Sequence, residues 1–111
     1  MTTTSSLRAL FVGEGGLLVA CADAWRAHGQ TIEAVVTGNA EVARLAKAAG
    51  IDTLAPTDDL PAALGGRPFD YLFSVVNPRL TPAAVLRLAR RAAINYHDSP
   101  LPQYAGLHIT S

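Results

Sequence analysis

The sequence predicts an α/β domain in which a mostly parallel sheet is covered by helices on both faces. Three observations predict it. Short apolar runs alternate with helical stretches along the chain. The fourth run is apolar at nearly every position rather than at every second one, as a strand buried on both faces requires. The first two helical stretches each end at a glycine, Gly29 and Gly50.

The first strand is expected over residues 7–12, and Gly13-Glu14-Gly15-Gly16 breaks it. Residues 17–28 have helical spacing, with Leu18, Cys21, Ala22 and Trp25 at i, i+3, i+4 and i+7 on one face. His28 stands at the helix end, where a cation complements the dipole. A second strand rich in Ile and Val covers residues 32–37, and Val42, Leu45, Ala46 and Ala49 repeat the helical stripe. Residues 51–55 make a short third strand. Asp58 and Asp59 are placed to cap a brief helix through Leu64, and residues 65–68 form a loop. The fourth strand spans residues 71–76. Thr81 is then read as an N-cap with Pro82 at the first helical position, Val85, Leu88 and Ala89 supply the stripe, and residues 93–96 form a fifth strand. The result is a Rossmann-like three-layer sandwich, expected to be incomplete at its C-terminus.

At 111 residues the chain supports one compact core. Residues 1–6, rich in Thr and Ser, are read as a frayed tail, and residues 7–111 as the domain. Nine basic and nine acidic side chains cancel, which gives no electrostatic support to a nucleic-acid or membrane-surface role. Cys21 is the single cysteine, so an intrachain disulfide and a zinc site of clustered thiolates are both excluded. No metal is expected. The apolar run after Arg8 is too short for a signal segment or a membrane span, and a reducing cytoplasm is the expected home.

Parallel sheets bind ligands at the carboxyl ends of their strands, near the point where strand order reverses. Three loops fall there: Gly13-Glu14-Gly15 after the first strand, Val76-Asn77-Pro78-Arg79-Leu80 after the fourth, and the stretch from Asn95 onward. The glycines of the first loop fail the dinucleotide fingerprint, because Leu18 stands where its third glycine belongs. The second strand also ends without an acid to bind a ribose hydroxyl. A tight strand-to-helix turn accounts for these glycines better than a nicotinamide site does.

The informative stretch is Asn95-Tyr96-His97-Asp98-Ser99-Pro100-Leu101-Pro102-Gln103-Tyr104-Ala105-Gly106-Leu107-His108. Alternation along a strand puts Asn95 and His97 on one side and Tyr96 on the other. An amide donor beside an imidazole suits acyl transfer, where each well-placed donor to a developing oxyanion contributes about 3 kcal/mol. Taken singly, His97 could cap a loop and Asn95 could form an Asx turn. Their pairing, with the proline-rich continuation, favours chemistry.

The pattern of Asn95, His97, Ser99, Leu101, Pro102, Tyr104 and Gly106 resembles the signature of the folate-dependent formyltransferases. The likeness covers nearly the whole chain, and its specific part is the final stretch. It implies transfer of a formyl group from 10-formyltetrahydrofolate to a small-molecule or carrier-bound amine. Asn95 and His97 match the family's catalytic asparagine and histidine, and residues 76–80 match the loop lining the folate pocket. Gly13, Glu14, Gly15 and His108 are then candidates for the substrate side. Arg79 fits either an anionic folate tail or a loop start. The family's catalytic aspartate, well downstream of the histidine, has no counterpart before Ser111. Asp98 stands where many relatives have proline, and Pro100 where they have leucine. The Asn-Tyr-His-Asp run is most similar to formyltransferase-type modules of bacterial natural-product assembly proteins, a resemblance that implies a place in a larger multidomain protein without fixing it. Two alternatives remain open: a noncatalytic formyltransferase-like binding module, and a formyltetrahydrofolate hydrolase. An N-terminal regulatory domain usually accompanies the hydrolase, whereas here the fold is expected to start within the first ten residues.

Overall fold

The computed structural model describes residues 6–96. Five strands form one sheet in the order β3-β2-β1-β4-β5, and every neighbouring pair is parallel. The chain runs β1 (Arg8–Gly13), α1 (Gly15–Ala27), β2 (Thr31–Val36), α2 (Ala40–Ala48), β3 (Thr53–Leu54), α3 (Leu60–Ala63), β4 (Phe69–Val75), α4 (Ala83–Leu86) and β5 (Ala89–Tyr96). Strand order reverses at β1, which lies between β2 and β4. This is the Rossmann-like arrangement expected of alternating strands and helices.

The two faces of β1 account for its unbroken apolar run. Leu10 and Val12 pack with Leu60 and Leu64 from the α3 segment and Val85 from α4. Ala9 and Phe11 pack with Leu18 and Ala22 of α1 and Val42 and Ala46 of α2. Phe11, Phe69, Leu10, Leu18, Leu64 and Leu72 are almost completely buried, and each such side chain contributes about 1.5–3 kcal/mol by leaving water. Of the α1 stripe, Leu18 and Ala22 are buried and Cys21 and Trp25 partly so. Trp25 meets Phe11, Tyr71 and Phe73 edge-on and donates from Nε1 to the Thr31 carbonyl at 2.6 Å.

Local signals set several boundaries. Asn39 caps α2, its side chain accepting from the Val42 amide at 3.0 Å, and Asp59 caps α3 by accepting from Ala62 at 3.3 Å. Asp58 instead accepts from the Ala55 amide and closes the preceding turn. The His28 ring donates from Nδ1 to the Ala24 carbonyl at 2.9 Å, tying it to the end of α1.

Four expected boundaries are corrected. Helix α1 starts at Gly15, so the glycine turn is shorter than its composition suggests. The third strand is only Thr53–Leu54. The largest change is in α4, which has four residues, with Pro82 rather than Thr81 at the N-cap. Ala89, assigned to the helical stripe, instead begins β5, four residues ahead of the expected strand start. Pairing with β4 overrides the helix preference of an alanine-rich segment.

Beside the amino end of β4, β5 carries a bulge: Phe69 pairs with Ala89 but Tyr71 with Ala92. Arg90 and Arg91 together therefore stand opposite Asp70, their Nε atoms 4.0 and 3.6 Å from its Oδ1. Asp70 also accepts from the Arg8 amide at 2.8 Å. That hydrogen bond, reinforced by the charges of Arg90, Arg91 and Arg8, holds its carboxyl below the ordinary aspartate value. Glu33 ties Arg8 and Arg67 at 2.7 and 3.0 Å, so strands β1, β2, β4 and β5 are all laced by charge toward their amino ends. Among the described residues no helix is long and apolar enough to cross a membrane.

Candidate functional site at the carboxyl ends of β1, β4 and β5

Backbone hydrogen bonds bring three strand ends side by side. The Glu14 amide donates to the Val75 carbonyl at 3.3 Å, and the Val76 amide donates to the Tyr96 carbonyl at 3.1 Å. The first and second expected loops and the start of the third thus meet where strand order reverses. Gly13 makes the approach possible. It has φ +146°, and a Cβ built on it would lie 1.8 Å from the Val75 carbonyl oxygen. Gly13 is therefore a structural requirement of the β1–β4 junction.

Glu14 occupies the N-cap of α1 in an extended conformation and makes no side-chain capping bond. Its carboxylate leans toward Gly38 instead, where Oε2 lies 3.4 Å from the position a Cβ would take. Gly15 has φ +90° and open space around it.

Asn95 is the penultimate residue of β5 and pairs in register with Ser74 of β4. Leu72 and Ser74 share a face by alternation, and Leu72 packs in the α3/α4 layer, so Asn95 belongs to that face. Ile94 and Tyr96 project to the α1 side, where they are half-exposed and border an apolar groove of about 650 Å³ with Leu17, Trp25 and Phe73. His97 and His108 lie outside the described residues, as do residues 98–107.

The loop after β4 is more constrained than its composition suggests. Val76 has φ +49°, a conformation that strongly disfavours a β-branched residue. Asn77 folds back so that its Nδ2 donates to Ser74 Oγ at 3.1 Å while its Oδ1 accepts from the Arg79 amide at 3.2 Å. Pro78, Arg79 and Leu80 are exposed, Leu80 almost completely at 97%. Of the five residues assigned to the folate loop, two thus shape the corner and three face outward. Ser74 was missed from the sequence because it sits inside an apolar strand. An asparagine just past a strand end, two residues before a free amide, is a readable Asx-turn signal.

Compared with known proteins, the chain matches no protein-family model and no curated protein.

Proposed function

We propose that the chain is the N-terminal part of an amine formyltransferase domain that uses 10-formyltetrahydrofolate as its donor. The observation that carries the reading is Asn95: an amide at the carboxyl end of a parallel strand, heading the formyltransferase-like run, with the 76–80 loop on the neighbouring strand. Ligands of open parallel sheets bind at this edge.

In the reaction, a neutral amine attacks the formyl carbon and a C–N bond forms. The carbonyl oxygen becomes an oxyanion, stabilised by hydrogen bonds from the Asn95 amide and the His97 imidazole. The bond from the formyl carbon to folate N10 then breaks, and the proton lost by the amine is delivered to N10. The imidazole either donates to the oxyanion or passes this proton through water.

Calorimetric titration with a nonreactive 10-formyltetrahydrofolate analogue tests the reading. The expected result is saturable binding that the Asn95→Ala/His97→Ala double variant weakens. A folded chain that takes up no analogue would overturn it. Binding without formyl transfer to any amine would instead identify a folate-binding module.

A further inference from the structure

We propose that Ser74 and Asn77 are positioning residues that latch the 76–80 loop to the strand end bearing Asn95, and that they act on the formyl donor without touching it. The inference rests on the formyl-donor reading of this loop.

Ser74 places a hydroxyl in an apolar strand: it is 7% exposed and stands between Phe73 and Val75 in β4. A buried hydroxyl is costly unless it is hydrogen-bonded, and here it accepts from Asn77 Nδ2. The same Asn77 side chain holds the Arg79 amide through its oxygen. One amide group therefore clasps the strand on one side and the loop on the other. Pro78, in between, disfavours a helical backbone at Asn77 and stiffens the turn.

Val76 shows why a clasp is needed. Its positive φ is strained for a β-branched residue, and such strain persists only where the surroundings over-determine the conformation. Two constraints flank it: its own amide bonded to the Tyr96 carbonyl, and Asn77 bonded back to Ser74. Because Ser74 is the in-register partner of Asn95, loop geometry is keyed to the strand position that carries the proposed oxyanion donor. With its nitrogen and oxygen both engaged, Asn77 acts here as a brace, whereas the family resemblance made it a ligand contact.

The test compares analogue affinity in the wild-type chain, Ser74→Ala, Asn77→Ala, Asn77→Asp and the Ser74→Ala/Asn77→Ala pair. Each alanine variant is expected to weaken binding about tenfold, as loss of one hydrogen-bonded brace implies, and the pair no further than either alone. Asn77→Asp retains an acceptor for Arg79 and receives a hydrogen bond from the Ser74 hydroxyl, so its affinity stays within about threefold. A neutral Ser74→Ala beside weak binding by both Asn77 variants would make Asn77 a direct contact and overturn the proposal. Hydrogen exchange at the Arg79 amide in the ligand-free protein reads the latch separately: faster exchange in Ser74→Ala is expected, and unchanged exchange overturns it. If that exchange responds but the wild type binds no analogue, the donor reading fails and the positioning role fails with it. Should Ser74→Ala not fold, Asn77→Ala and its aspartate rescue decide the matter.

Discussion

Gly13 and Val75 stand so close that any side chain on Gly13 would overlap the Val75 carbonyl, whose oxygen lies 1.8 Å from where a Cβ would sit. Gly13→Ala combines this overlap with an unfavourable φ. The expected loss is at least about 3 kcal/mol, read as a lower urea midpoint. A wild-type midpoint would mean that β1 and β4 do not approach as described.

Val76 and Val75 should respond oppositely to the same change. Asparagine tolerates the left-handed conformation, so Val76→Asn exchanges some apolar packing for relief of strain and should stay within about 1 kcal/mol of wild type. Val75→Asn buries an amide in the α1-side core and should cost about 3 kcal/mol. Equal losses in thermal melts would rule out strain at Val76.

Asp70 sets an acid limb on stability. Its carboxyl is held below the ordinary value by the Arg8 amide and the neighbouring arginines. A depressed folded-state pKa contributes stability above the unfolded value, near pH 4, and loses it as pH falls through the lower folded value. Asp70→Asn should flatten the decline in melting temperature below about pH 4. An unaltered decline would assign the acid sensitivity to other groups.

Trp25 joins α1 to β1 and β4 through Phe11, Tyr71 and Phe73. Trp25→Ala is expected to cost about 3–5 kcal/mol. Trp25→Phe keeps a ring but loses the bond to Thr31, and should cost roughly a third of that. Denaturant titration followed by circular dichroism separates the two.

The layered sheet was legible because β1, β2 and β4 are apolar on both faces, a pattern that strand burial writes directly into composition. The segment from Leu86 to Ile94 was harder to read: alanine suits a helix, and only the hydrogen bonds to β4 decide that Ala89 belongs to β5. The convergence of three strand ends followed from parallel topology, and Asn95 lies at one of them. The corner at Val76 was not legible, since nothing about valine announces a positive φ. The lacing of Asp70 by Arg90 and Arg91 depends on a register shift, and register between distant strands leaves no local mark.

That register shift also divides the edge of the sheet. At its bulged amino half, β5 carries two arginines, and irregular geometry with charge discourages another strand from joining. Residues 92–96 run in regular register with β4, so the half free of bulge and charge is also the half that carries Asn95. Among the described residues, the regular stretch 92–96 is the part of β5 better suited to a further neighbour, and a strand added there would bring its own side chains into the row beside Asn95. Whatever extends the sheet there becomes a wall of the candidate site.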